Sequence, residues 1–152
     1  MHYRRVTKKL LQRYWRLTRG LTLGVRAAVI DGDDRMLLVR HTYTGGWHFP
    51  GGGVEFKETV YAALERELLE ETGIALAGPE LFGLYSNTEA FPGDHVALFV
   101  VRAWQHRRAF APNWEIAEAE FFAPHAMPDG VSAGTQRRID EINGLKPRQA
   151  MW

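Results

Sequence analysis

Three consecutive glycines, Gly51 to Gly53, stand where a strand-like stretch gives way to a helical one. Upstream, "LGVRAAVI" (Leu23 to Ile30) reads as a strand, "DGDD" (Asp31 to Asp34) as a tight turn, and "RMLLVRH" (Arg35 to His41) as the return strand of a hairpin. Downstream, Val60, Leu64 and Leu68 recur every four residues, the spacing of one helix face. Glycines at such a junction let the backbone turn tightly and approach a ligand that a Cβ would obstruct. The helix's apolar stripe can then dock on a sheet.

The rest of the chain keeps this interleaving. "ELFGLYSN" (Glu80 to Asn87) and "HVALFVVRAW" (His95 to Trp104) are strand-like, and "EAEFFA" (Glu118 to Ala123) reads as a further short strand. "TQRRIDEINGL" (Thr135 to Leu145) reads as a closing helix with Ile139 and Ile142 on one side. There is no internal repeat or linker, so strands and helices form one α/β or α+β unit. A length of 152 residues with 45% hydrophobic content suits that single domain.

Several classes drop out on composition. The absence of cysteine excludes disulfides and thiolate metal sites. The longest apolar run, "VALFVV", is too short to span a bilayer, and no apolar signal segment follows the basic start. A soluble cytoplasmic protein is the expectation. The net charge of +1 is unevenly spread. Residues 1–19 carry seven basic side chains and no acid, which leaves 12 basic residues against 18 acids, a net of −6, over residues 20–152. With Leu10, Leu11, Tyr14, Trp15 and Leu17 at helix-like spacing, the leader reads as a basic helical segment ahead of a domain over 20–152. Packing on the acidic body is the favoured role for it, ahead of contact with nucleic acid or an anionic membrane.

The helix itself crowds Glu67, Glu70 and Glu71 into five residues. Positions three and four apart share a face, so these carboxylates span only about 6 Å along the axis. Like charges at that spacing cost a few tenths of a kcal/mol. Two readings are open: a solvated acidic face, or oxygen ligands for a hard cation such as Mg²⁺ or Mn²⁺ that in turn holds phosphate.

The full stretch supports the second. Gly52, five residues, Glu58, seven residues, Arg66-Glu67-Leu68, one residue, Glu70-Glu71, one residue, Gly73-Ile74 resembles the Nudix box at every specified position. Seven fixed residues at background frequencies near 7% would match by chance in about one chain in a million. "WHFPGG" before the box resembles the family's usual lead-in, and the order of elements over residues 20–145 is similar. The resemblance implies a Nudix-type α/β/α sandwich with a mixed central β-sheet. It implies divalent-metal-dependent hydrolysis of the pyrophosphate bond of a nucleoside diphosphate linked to another moiety. A non-catalytic nucleotide-binding module and an RNA 5′-end pyrophosphohydrolase are the alternatives.

Carried over by position, Glu70 and Glu71 resemble the principal metal ligands, and Glu67 a third ligand or an activator of water. The Gly51 carbonyl resembles a backbone ligand, and Glu58 a further, water-mediated contact. Arg66 reads as a guanidinium fork holding a ligand carboxylate in place, with phosphate contact as its other role. Arg40 resembles a phosphate-binding position, an exposed strand-end arginine being the alternative. Among the late acids Glu115 is preferred to Glu118 and Glu120 as a catalytic carboxylate. Trp47, Phe82, Tyr85 and Phe91 are the aromatics that could stack on a base, with Tyr85 taken forward, although sheet aromatics are more often core. The six histidines share no ligand spacing and receive no role. Substrate identity stays open between ADP-ribose, nucleoside triphosphates, dinucleoside polyphosphates and capped RNA. Pairing into a homodimer is a further expectation from the resemblance.

Overall fold

The apolar runs become eight strands and two helices among residues 20–89 and 91–152, the part of the chain that the computed structural model describes. In order they are β1 (Thr22–Val29), β2 (Met36–His41), β3 (Trp47–His48), α1 (Val60–Thr72), β4 (Ile74–Ala77), β5 (Glu80–Ser86), β6 (Asp94–Val101), β7 (Ala103–His106), β8 (Ile116–Phe122) and α2 (Ala133–Ile142). The basic helix expected over residues 4–18, and with it the division at residue 19, lies outside the described residues.

β1 pairs in parallel with β6, and β5 runs antiparallel on β6's other side, giving a mixed sheet of order β1-β6-β5. An antiparallel sheet of order β3-β2-β8 stands beside it, and β4 pairs with β7. The free side of β1 is taken by the glycine segment. Val25 donates to the Gly52 carbonyl at 2.8 Å, Ala27 to Pro50 at 2.9 Å, and Val54 to Leu23 at 2.9 Å. The three glycines are therefore pinned backbone to backbone on the central strand.

The core has two halves, one on each face of that sheet. Val25, Ala27 and Val29 of β1 meet Leu64 and Leu68 of α1 with Phe99 of β6. Ala28 and Ile30 point the other way, to Leu38, Phe49, Tyr85, Leu98 and Ile139 of α2. This is the α/β/α arrangement that was expected. At 25 cal/mol per Å², burying one such Leu or Val contributes about 1.5–3 kcal/mol, so each face needs only a few of them to seat its helix.

Two expectations are corrected. β1 and β2 do not form a hairpin ladder. A single bridge, Ile30 to Met36, and the Asp31-to-Arg35 turn bond link them before they part into different sheets. The reason is burial: Val25, Ala27, Ala28 and Val29 are all fully covered, the signature of a central strand in a two-sided layer. The run from His95 to Trp104 is two strands, broken at Arg102, with β7 turning away to pair with β4. β3 and β4 are too short to be read from pattern. Among the described residues no helix is long and apolar enough to cross a membrane.

Candidate active site

α1 begins at Thr59, whose side chain accepts from the Ala62 N–H at 3.1 Å, and ends at Gly73 with φ near +73°. Between these caps, Leu64 and Leu68 fix the rotation of the helix, which swings Glu71 inward. Its carboxylate is 4% exposed and accepts from the Gly51 N–H at 2.7 Å. Burial pushes the Glu71 carboxyl up to about 8, against the pull of the Gly51 hydrogen bond and of Arg26. The glycines are needed at this contact. Gly51 has φ of +139°, and a Cβ there would sit 2.1 Å from the Val25 carbonyl oxygen. A Cβ on Gly52 would fall 2.3 Å from the Glu67 carboxylate.

Arg66 gathers the other box acids. Its Nε donates to Glu58 at 2.9 Å and its Nη2 to the second Glu58 oxygen at 3.0 Å, a two-pronged pair. Nη1 donates to Glu67 at 2.7 Å and lies 3.6 Å from Glu70, and Nη2 also reaches the Gly53 carbonyl at 3.1 Å. The Arg66 hydrogen bonds hold Glu58 down at about 2, with the Glu55 backbone assisting. One guanidinium thus ties the glycine segment, the approach to the helix and Glu67 into a rigid unit.

The opposite wall comes from β2 and β8. Their ladder slips between Arg40 and His41, where Arg40 faces Glu118 but His41 faces Ile116. A bulge of this kind re-aims side chains. Beyond it, Asn113 accepts from the Glu115 and Ile116 N–H groups, each at 2.8 Å, and Thr42 donates to the Glu115 carbonyl at 2.9 Å. Tyr43 donates its hydroxyl to the Glu115 carboxylate at 3.2 Å, and burial together with that carboxylate raises the phenol above its ordinary value. His41, Glu71 and Glu115 each bring a ligand atom within 4.8 Å of the others. Burial, with His48 and Arg26 nearby, keeps the His41 imidazole below its ordinary value, against the pull of Glu115.

His41, Tyr43 and Glu115 line a cavity of about 360 Å³ that also takes in Arg26, Gly51, Gly52 and Glu67. Glu71 stands at its edge, bonded to the Gly51 N–H. A larger cleft of about 650 Å³ adjoins it, sharing Arg26 and His48, and is walled by Ser86, Asn87, Arg137 and Trp152. That far wall is firmly built. Trp152 donates its N–H to Ser86 at 2.9 Å, Ser86 to Ala150 at 2.8 Å, and the Trp152 ring meets Tyr85 edge-on at 5.6 Å.

The residues singled out from sequence divide clearly. Glu67, Glu115 and Gly51 line one cavity, and Glu71 stands at its edge against Gly51 and Glu115. Glu58 and Arg66 stand behind it as its scaffold. Glu70 is 62% exposed in its side chain and does not converge with Glu67 and Glu71 into a ligand group among the described residues. Arg40 lies against Glu118 in an ion pair and over the Trp47 ring at 5.8 Å, away from the cavity. Tyr85 is buried at 1% exposure and donates to Glu141 at 3.0 Å, so its ring is a foundation for the cleft rather than a surface for a base. Sequence reasoning missed Arg26, His41 and His48. Arg26 sits at an ordinary strand position, and His41 enters only through the bulge, for which no residue pattern gave a signal.

Fold and site together define an α/β/α sandwich with a carboxylate-lined cavity at the junction of a glycine segment, a helix and two sheets. The NUDIX domain family model matches residues 20–141. The chain belongs to the Nudix family. It is 33% identical over 103 residues to an ADP-ribose pyrophosphatase of Methanocaldococcus jannaschii, a match covering 66% of this chain and 61% of that protein. It is 40% identical over 67 residues to a MutT-like protein of Streptomyces ambofaciens, over 44% of each. The chain thus spans about half the length of these curated relatives. Its fold is similar to that of a MutT NUDIX hydrolase from Burkholderia pseudomallei, with a TM-score of 0.69 and 24% identity over 80% of this chain and 97% of that one.

Proposed function

We propose that this chain is a divalent-cation-dependent hydrolase of the pyrophosphate bond in a nucleoside diphosphate linked to another moiety. The observation that carries this reading is Glu71. A carboxylate buried to 4% exposure, with only a backbone N–H at 2.7 Å as its hydrogen-bond donor among the described residues, is costly as an anion unless a cation accompanies it. Glu115 brings an oxygen donor within 4.8 Å of that of Glu71, and Glu67 lines the adjoining cavity with Glu115. Mg²⁺ or Mn²⁺ suits that oxygen-rich donor set. When bound, the cation neutralises phosphate charge and lowers the pKa of a water.

The chain's own residues supply the remainder. Arg26, between the cavity and the larger cleft, is placed to hold phosphate oxygens as the substrate passes from one to the other. Glu67, fixed by the Arg66 Nη1 at 2.7 Å, is positioned to take the proton of a water attacking phosphorus. The oxygen–phosphorus bond on the far side of that phosphorus then breaks, leaving two phosphate-ended fragments. The larger cleft, walled by Asn87, Arg137 and Trp152, has the volume and polar lining to take the rest of the substrate. The relative named for ADP-ribose makes a nucleoside diphosphate bearing a second sugar the first compound to try. A panel of ADP-ribose, a UDP-sugar, dGTP and a 5′-triphosphorylated RNA, each with Mg²⁺ and Mn²⁺, tests the proposal through release of phosphate-ended products. Turnover of at least one that stops on chelation is expected. No turnover of any of them would point instead to a binding module.

A further inference from the structure

The imidazole of His41 has no part in that chemistry, yet its setting calls for a partner. Its side chain is nine-tenths buried at the wall of the cavity, and Nδ1 is sealed from solvent with no hydrogen-bond partner among the described residues. Nε2 lies 3.9 Å from the nearer Glu71 oxygen, beyond a hydrogen bond. Buried polar atoms are almost always paired, and an orphan of this kind asks for an explanation. Ring packing is one: His41 tilts against Tyr43 at 5.2 Å and His48 at 5.9 Å between centroids. Packing alone would be served as well by an apolar ring, and leaves Nε2 facing the Glu71 carboxylate without a hydrogen bond.

The geometry gives Nε2 a use that an apolar ring would lack. Two donors held at about 2.1 Å from one ion sit at most about 4.2 Å apart. The 3.9 Å between His41 and Glu71 already fits. The 4.8 Å bound on the full trio with Glu115 asks for at most about 0.6 Å of side-chain closure. An oxygen shell suits Mg²⁺, whereas an imidazole nitrogen suits transition-metal dications, whose affinities rise along the first row.

We propose that His41, Glu71 and Glu115 form a mixed imidazole–carboxylate site, and that His41 turns the preference of this cavity toward Mn²⁺ or Co²⁺ over Mg²⁺. The inference rests on the reading of the cavity as a cation site, and it deepens that reading by naming a nitrogen ligand from β2. The bulge between Arg40 and His41 is then the device that delivers it, since strict alternation on β2 and β8 would not bring His41 beside Glu115.

Calorimetric titration of the full chain with Mg²⁺, Mn²⁺ and Co²⁺ alone, without nucleotide, tests this. Wild-type protein should bind Mn²⁺ and Co²⁺ at least about tenfold more tightly than Mg²⁺. In His41→Gln that margin should collapse, with Mn²⁺ and Co²⁺ affinity falling about tenfold or more while Mg²⁺ affinity moves less than about threefold. Electron spin echo spectroscopy of the Mn²⁺-loaded wild type needs no variant and should show a directly bound imidazole nitrogen. A spectrum without bound nitrogen overturns the role of His41 and leaves a carboxylate site standing. So does a variant that weakens all three cations alike, or none. No cation binding by the wild type would overturn the cation reading as a whole. His41-dependent Mn²⁺ binding without turnover of any nucleotide would support this site while removing the proposed reaction.

Discussion

Individual residues carry most of the chemistry, and two of them make sharp predictions. Gly51 combines a φ of +139° with a Cβ position 2.1 Å from the Val25 carbonyl oxygen, a backbone atom that cannot swing aside. Gly51→Ala should therefore destabilise the protein by about 2 kcal/mol or more, read as a fall in the urea midpoint at unchanged slope. Glu71→Gln should act in the opposite direction on the cation-free protein. It removes a carboxyl that burial pushes up to about 8 and keeps a group of the same shape facing the Gly51 N–H. In chelator at pH 8 the variant's melting temperature should rise by about 2 °C or more, and Mg²⁺ should no longer raise it further. A fall in chelator would mean that the carboxylate is paid for by the fold alone. That Glu71 and Glu115 would stand together was legible in the chain, because the box singles out one and the resemblance pointed to a late-loop acid for the other. His41 and Arg26 were not, because their positions depend on which strands become neighbours.

At the scale of elements, α1 and the glycine segment act as one piece through Arg66. Arg66→Lys keeps the charge but loses the fork that holds Glu58 by both oxygens and Glu67 at once. Turnover should fall roughly 10- to 100-fold with the fold intact by circular dichroism. Unchanged turnover would remove Glu67 from the reaction. α2 forms the base of the larger cleft through a buried ion pair, Arg138 to Glu141 at 2.7 Å, with Tyr85 donating to the same Glu141. Burial first, and then Glu141, pushes the Tyr85 phenol up to about 12, above its ordinary value near 10. The native state thus holds its proton where the unfolded chain has lost it. The contribution is whole below pH 10 and is lost as pH rises from 10 toward 12. Tyr85→Phe should flatten the fall of stability over that window, measured by urea unfolding at pH 9.5 and 11.5. α1 was readable from its four-residue apolar spacing and its end glycine. The supposed hairpin of β1 and β2 was not a hairpin, because a turn signal fixes a change of direction and says nothing about which sheet receives the second strand.

For the whole molecule, the sandwich explains why a glycine segment, a helix and two sheets can meet at one polar cavity inside an otherwise apolar frame. The segment is pinned on the free side of β1, α1 docks on one face through Leu64 and Leu68, and β2 with β8 closes the cavity from the second sheet. The order of elements and the class of fold were legible from the alternation of strand-like and helical runs. The cleft walled by Arg137 and Trp152 was not, since it depends on the final segment lying along Ser86. The central claim is that Glu71, buried at this meeting point, holds the cation on which cleavage of a pyrophosphate bond depends. The most direct test is the turnover number of wild type and Glu71→Gln on one substrate from the panel, with Mg²⁺ and Mn²⁺ in excess. A loss of about 100-fold or more in a variant that stays folded is predicted. Equal turnover of the two proteins would contradict the account.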